Sequence, residues 1–435
     1  MSEYMKTITD DTIINYWMSF FLEIKNRHEL EDLLNNISNI KIQDMLLQYK
    51  KVDTSIVKSM IWNDTEEQDK IQKALDKIDD VVLWGDFYEP VIKKYIKKLF
   101  DVIKESKIIS DEESFISRCI EGICYSLHIP SFQTLIAETY YAKKNKLLKG
   151  ETREDRGKYY NKVLLKDNEY RKEVYECYPE LIRVLDVKTK NTIDFLVDII
   201  KSTESELNNI EKSLNDSKSL GKIIDIFLGE GDTHNNGKTV TKLKFDSGKT
   251  VVYKPHNLEV EEKYYEFIQW LNKVSAKDET GCLMAARCYN GGNKGWMEFI
   301  EQKDCKNESE VKSFYYKIGK LLCILYTTDG IDIHNENIIA HGNMPVLVDL
   351  ETFIHADLYP ISDQDSASTV SIKKLNNSVI KNALLPTYII NKENKKVFDL
   401  GGLSGAENQE AAFASKFIKD YGTDEVKVIL EHSIV

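Results

Sequence analysis

Asp332-Ile333-His334-Asn335-Glu336-Asn337-Ile338-Ile339-Ala340-His341-Gly342-Asn343-Met344-Pro345-Val346-Leu347-Val348-Asp349 is the stretch on which the fold turns. Ile338–Ala340 and Val346–Val348 are short apolar runs joined through His341-Gly342-Asn343, where glycine permits a tight turn, so two short strands are expected. Asn337 precedes the first strand and Asp349 follows the second. Pairing the strands therefore brings both side chains to one end. An Asp-x-His alone is most simply turn capping. Joined to that Asn and Asp, it matches what phosphoryl transfer requires: one aspartate for the substrate hydroxyl, with an amide and a second carboxylate for Mg²⁺.

About 80 residues upstream lies Val251-Val252-Tyr253-Lys254-Pro255, a strand pattern ending in a lysine. A cation on a rigid strand suits the α and β phosphates of ATP, which assigns Lys254 to the nucleotide. Asp332 is expected to receive or orient the hydroxyl proton, and His334 to brace the loop or touch the γ-phosphate. Asn337 and Asp349 are expected to hold Mg²⁺. Glu351, read as sharing Asp349's strand face, is a candidate for a second ion or its water.

Further upstream, Gly229-Glu230-Gly231-Asp232-Thr233-His234-Asn235-Asn236-Gly237-Lys238 is rich enough in glycine for its backbone N–H groups to approach phosphates, although it is not a Walker A sequence. Gly231, Gly237 and Lys238 are nucleotide-side candidates, and Asp232 and His234 suit acid and base work. Val240–Phe245 and Val251–Tyr253 flank Asp246-Ser247-Gly248-Lys249, a hairpin pattern. Leu258–Leu271 resumes helical spacing, with Glu262 and Glu266 placed to offer Lys254 a carboxylate. Glu298, in the strand candidate Trp296–Ile300, joins Glu266 on the nucleotide side. Asn307 and Glu310 have capping-box spacing before a helix carrying Val311, Phe314, Ile318, Leu321 and Leu325.

Before about residue 215 the pattern is helical throughout, as in Phe195, Leu196, Ile199, Ile200 and Leu207. The expected class is α+β, with helices over 1–215, a β-rich nucleotide-binding segment over 216–300 and a catalytic segment over 301–435. Lys143-Lys144-Asn145-Lys146 reads as a solvated face. Ser362–Ser371 reads as loop, and Gly401–Gly405 as a flexible turn.

Of the 435 residues 42% are hydrophobic and 30% charged, an ordinary globular balance rather than a disordered one. A net charge of −12 argues against nucleic acid as the main partner. No apolar run approaches the ~20 residues of a membrane span, and Met1-Ser2-Glu3-Tyr4 lacks a signal layout, so a cytoplasmic protein is expected. Seven cysteines without C-x-x-C spacing read as reduced thiols rather than a disulfide framework or zinc ribbon.

The ordered blocks Gly231–His234, Val251–Pro255, Gly295–Ile300, Asp332–Gly342 and Asp349–Thr352, with Cys177–Leu181 upstream and Leu384–Pro386 and Asp399–Leu403 downstream, resemble the dehydratase domain of the LanM-type class II lanthipeptide synthetases. The resemblance implies a lipid-kinase-like (protein-kinase-like) two-lobed core preceded by a large helical region. It also implies ATP- and Mg²⁺-dependent phosphorylation of Ser and Thr in a leader-bearing precursor peptide, followed by phosphate elimination to dehydroalanine and dehydrobutyrine. Lys254, Asp332, His334, Asn337 and Asp349 match the phosphorylation positions, while Asp232 and His234 match positions tied to elimination. Family members run to about twice this length. They carry elimination residues beyond the point matching Val435 and a zinc cyclase, so a truncated dehydratase lacking its cyclase is expected, with a separately encoded C-terminal half as possible partner. Two alternatives stay open: a remnant that only binds leader peptide, and a small-molecule phosphotransferase.

Overall fold

The computed structural model describes residues 9–19, 24–38, 40–50, 55–78, 83–229, 236–275, 281–355, 366–390, 395, 397–404, 409–411 and 413–434. The described elements up to Leu214 are helices, the longest being Glu112–Lys144 and Pro179–Leu214, and the first strand begins at Ile223. Packing divides the chain differently from this change of period. One compact unit comprises residues 1–100, 123–194 and 420–426, and the other 101–122, 195–419 and 427–435.

The boundary read near residue 215 is therefore displaced. The last five turns of the Pro179–Leu214 helix belong with the sheet that follows. Tyr253 Oη donates to Asp198 (3.1 Å), Trp296 Nε1 to Thr203 (3.0 Å) and Tyr289 Oη to Glu206 (2.6 Å). Buried Tyr and Trp need partners for their polar atoms, and this helix face supplies them. Residues 216–300 fall within one unit with 301–419 and 427–435, while 420–426 belong to the first unit.

In that second unit, strands β1 (Ile223–Phe227), β2 (Thr241–Phe245), β3 (Thr250–Lys254), β4 (Cys288–Asn290) and β5 (Gly295–Glu298) form one antiparallel sheet in the order β1-β2-β3-β5-β4. Gly248 closes the β2–β3 turn at φ +81°, a backbone state glycine enters without steric cost. The Glu259–Ser275 helix is inserted between β3 and β4. Asn307 caps the Glu308–Thr327 helix by accepting from the Glu310 N–H at 3.0 Å. β6 (Ile338–His341) and β7 (Met344–Leu347) pair across Gly342, itself at φ +61°.

Tyr264 and Ile268 of the Glu259–Ser275 helix and Ile318, Leu321 and Leu325 of the Glu308–Thr327 helix share one buried cluster with Ile333, Leu347, Leu350, Phe353 and Leu384. A core built from residues on both sides of the Asp332 loop fixes that loop's position. A second cluster joins the sheet to the hairpin through Val252, Met297, Ile300 and Val346.

Three local expectations change. Ser366 is an N-cap accepting from the Thr369 N–H (3.2 Å), so Ala367–Asn376 is helix where a polar loop was expected; residues 362–365 lie outside the described residues. Gly401 and Gly402 are packed rather than free. Gly401 bridges to His334, and a Cβ there would meet Leu385 O at 2.4 Å. Lys143 is not purely solvated, since its ammonium lies 3.3 Å from the fully buried Asp424 carboxylate.

Candidate active site

Antiparallel register places Ile338 opposite Leu347, and the Val348 N–H extends the ladder by donating to Asn337 O at 3.1 Å. Asn337 and Asp349 thus sit at the open end of the hairpin, on either side of Val348. Lys254 reaches the same point from β3, its Nζ donating to Val348 O at 2.9 Å. One residue, Val348, is therefore bonded through its N–H to the loop bearing Asn337 and through its C=O to the lysine. The ordered pattern Lys…Asp-x-His-x-x-Asn…Asp becomes a contiguous site.

Asp332 adopts φ +62°, the left-handed state uncommon for a residue with a side chain, and its carboxylate is exposed. The Asn337 amide holds the loop closed by donating to Asp332 O (2.8 Å) and lies 3.2 Å from His334 Nε2. The Glu336 N–H faces His334 Nδ1 at 3.3 Å. Both ring nitrogens face donors, and a neutral imidazole can accept at only one, so His334 is held by whichever contact its tautomer satisfies. Its backbone is fixed independently by the Gly401 bridge and by Ile333 N–H donation to Asn382 O (2.8 Å). Of the two roles expected for His334, bracing the loop is the one with contacts.

The carboxylate beside Lys254 is Glu261, at 3.5 Å, both side chains being about 95% buried. Glu266 lies on the opposite, polar face in a 2.8 Å pair with exposed Lys263, and a Glu262 oxygen accepts from the Asn290 N–H. Helical periodicity explains the correction, because Glu261 falls three and seven residues before the buried Tyr264 and Ile268. Burial, with help from Glu262 and Glu261 and against the pull of Lys254, pushes the nearby Cys288 thiol up to about 12, so it stays protonated.

Two further assignments shift. Glu298 pairs in register with Val251, which puts it on the sheet face opposite Val252 and Lys254, and its carboxylate accepts from Arg287 Nε at 3.4 Å. Met297 is the β5 residue sharing the lysine's face. β7 ends at Leu347, so Glu351 does not share a strand face with Asp349. It occupies a turn in which its N–H donates to Asp349 Oδ1 (3.2 Å), and its own carboxylate lies 3.4 Å from His256 Nε2. His256, two residues beyond Lys254, was not singled out in the sequence.

Gly231, Asp232 and His234 lie outside the described residues. Their loop springs from a closed base, where the Gly229 N–H donates to Thr239 Oγ1 (3.1 Å). Within it Gly237 has φ +86° with open space around it, and Lys238 is half-buried.

Among the described residues no three His, Cys, Asp or Glu side chains converge as a metal cage. Asn337 and Asp349 form a two-residue oxygen set, each keeping one oxygen uncommitted in the bonds above. That suits Mg²⁺, which takes few protein ligands and fills its octahedron with phosphate and water.

Residues 178–435, more than half of the chain, match the family described as a domain of unknown function, DUF4135. The chain is also 23% identical over 303 residues to the lacticin 481/lactococcin biosynthesis protein LcnDR2 of Lactococcus lactis subsp. lactis, covering 68% of this chain and 31% of that protein. The chain thus spans about a third of the curated relative it matches. Together these matches bear out the resemblance to the LanM-type synthetases. No helix among the described residues is long and apolar enough to cross a membrane.

Proposed function

Because the chain belongs to the DUF4135 family, we propose that it acts in lanthipeptide biosynthesis, phosphorylating Ser and Thr hydroxyls of a ribosomal precursor peptide at the expense of ATP. The relative's role in lacticin 481 biosynthesis supports the peptide class of substrate. The observation that carries the chemistry is the convergence at Val348, where Lys254 Nζ meets the residue that pairs with Asn337 and immediately precedes Asp349. The fold reading proposed with it is a kinase-like two-lobed core. An antiparallel sheet with a glycine-bearing loop between β1 and β2, a lysine at the end of β3 and a helix directly after it supports that reading.

In this reading Lys254 neutralises the nucleotide phosphates, and Glu261 and Val348 O aim its ammonium. Asn337 and Asp349 hold Mg²⁺, which when bound offsets charge on the transferring phosphoryl group. Asp332 takes the hydroxyl proton as the substrate oxygen forms its bond to the γ-phosphorus and the bond to the β–γ bridging oxygen breaks. His334 braces the loop. Elimination would then need removal of the Cα proton as the Cβ–O bond breaks and phosphate leaves, work for which Asp232 and His234 are proposed.

The test is mass spectrometry of a Ser/Thr-rich precursor peptide incubated with purified chain, ATP and Mg²⁺. The expected product carries added phosphate or has lost water. Asp349→Ala is expected to reduce it by at least about 1,000-fold with the fold intact by circular dichroism. Peptide left unmodified while an aminoglycoside or sugar is phosphorylated would move the site to the small-molecule phosphotransferases. No transfer to any acceptor would leave a leader-binding role.

A further inference from the structure

His256 stands beside the proposed nucleotide site with a contact that the roles assigned above leave unused. Buried Pro255 restricts the backbone between it and Lys254. On its other side Asn257 Oδ1 accepts from the Glu259 N–H at the start of the Glu259–Ser275 helix (2.7 Å), and the Leu258 N–H donates to Asn290 Oδ1 (3.3 Å). The imidazole is therefore carried by a fixed segment. Its Nδ1 lies 3.1 Å from Asn257 O and its Nε2 3.4 Å from Glu351 Oε1. A carbonyl and a carboxylate only accept, so the ring satisfies both as an imidazolium, donating from each nitrogen.

The other end of this contact is the turn that carries Asp349. Leu350 and Phe353 close it, the Phe353 N–H donating to Leu350 O (3.0 Å), and both side chains are buried. Thr352 is held by Ile331, donating from Oγ1 to Ile331 O (2.7 Å) and accepting from the Ile331 N–H (3.1 Å). Glu351 is the exposed member, yet its N–H is the one that holds Asp349 Oδ1, at 3.2 Å. Its carboxylate is tied to His256. β3 and the residues after it thus grip the Asp349 turn twice, at Val348 O through Lys254 and at Glu351 through His256.

We propose that His256 is a positioning residue for the metal site; the assignment rests on the phosphoryl-transfer reading above. As a cation it pins the Glu351 carboxylate, which keeps the Glu351 N–H on Asp349 Oδ1 and leaves Asp349 Oδ2 for Mg²⁺. Pinned in this way, Glu351 is also withheld from the ion, and the site stays a two-residue oxygen set of the kind Mg²⁺ accepts. An exposed ion pair of this length adds little to folding stability. Its consequence is local: removing it loosens the ion and leaves the fold intact.

The experiment titrates Mn²⁺, which shares the oxygen preference of Mg²⁺, into the full chain with ATP present and reads the free ion by electron paramagnetic resonance, alongside the kinetics of peptide phosphorylation with Mg²⁺. His256→Leu is expected to weaken Mn²⁺ retention about fivefold and to raise the KM for Mg·ATP by about the same factor, while the KM for peptide stays within about twofold. His256→Lys restores a cation and should return both to within about twofold of wild type. Glu351→Gln should match His256→Leu, and the double variant should lose no more than either single one, as for two residues acting as a unit. Retention within about twofold of wild type in His256→Leu, no recovery in His256→Lys, or a loss in Glu351→Gln far beyond that of His256→Leu, which would make Glu351 a ligand in its own right, would overturn the proposal. Wild type that retains Mn²⁺ with ATP, with the expected losses in the variants, but phosphorylates no peptide would keep the role of His256 and sink the peptide-kinase reading. Peptide phosphorylation whose Mg·ATP KM is indifferent to His256→Leu would do the reverse. Wild type that retains no Mn²⁺ with ATP would sink both.

Discussion

Each compact unit buries an ion pair of lysine or arginine with glutamate, and the two are finished differently. In the first unit Glu89 accepts from Gln68, Lys93 and Arg171, and Arg171 also donates to Asp86 O (2.6 Å) and Asn168 Oδ1 (2.5 Å). Burial alone would raise the Glu89 carboxyl, yet Arg171 and those hydrogen bonds hold it below its ordinary value. In the second unit Lys254 has one good acceptor, Val348 O, and a loose 3.5 Å approach to Glu261, with the Asp332 carboxylate exposed on the same loop assembly. The first network spends its polar atoms almost wholly on one another, Arg171 Nε and Gln68 Oε1 being its buried atoms without a partner among the described residues. An under-bonded cation beside uncommitted oxygens has capacity for a ligand, so burial of charge marks structure in one unit and, on the proposed reading, a site in the other.

The sharpest way to break this contrast is to delete a cation from the closed network. Arg171→Met leaves the buried Asp86 carbonyl without this donor and Glu89 with Gln68 and Lys93 alone, and is expected to lower unfolding stability by about 3–5 kcal/mol in urea titrations. Adding Glu89→Leu to it should deepen that loss rather than restore it, because Lys93, paired with Glu89 at 2.9 Å and as buried as it is, then loses its counter-charge. A single-mutant change below about 1 kcal/mol would mean that the first unit's network is not structural.

What the sequence made legible in these two regions follows the range of the interactions. The β2–β3 and β6–β7 hairpins, the Asn307 cap and the flanking of a hairpin by Asn337 and Asp349 depend on residues a few positions apart, and period and turn chemistry carry them. Glu261 was within reach of the same reasoning, since a carboxylate on the stripe of Tyr264 and Ile268 signals a buried partner. It was passed over for Glu262 and Glu266 on the polar side. The His256–Glu351 contact, the Gly401 bridge to His334 and the Val348–Lys254 bond join residues about 70 to 95 apart in sequence. No local signal specifies them. The closed network of Arg171 was missed for the same reason, as its members are dispersed among ordinary helical charges.

Asp86 tests the closed network by pH. Burial pushes its carboxyl up to about 6 from 3.8, against the pull of Lys166, Gln72 and Arg171 and with a push from Glu89. A folded-state value above the unfolded one means that stability from this group is present below about 3.8 and is lost as pH rises through about 6. Asp86→Asn, which keeps an acceptor for Gln72, is therefore expected to raise stability by up to about 3 kcal/mol at pH 7.5 and to change little at pH 4. Equal effects at both pH values would place the cost of Asp86 in packing rather than in charge.

The smallest expected effect discriminates most finely, because it changes how Lys254 is held without removing it. Glu261→Gln preserves shape and leaves the Lys254–Val348 bond in place, so folding stability should move by less than about 1 kcal/mol. The amide no longer attracts the ammonium electrostatically, and phosphopeptide formation should fall about tenfold, as for a group that aims the lysine without touching the peptide. Because Glu261 acts through Lys254, the loss should appear in the KM for ATP and in kcat, while the KM for peptide stays fixed. A stability loss as large as that of Arg171→Met, with no change in transfer, would make Lys254–Glu261 a second closed network. The contrast between the two units would then rest on Asp332, Asn337 and Asp349 alone.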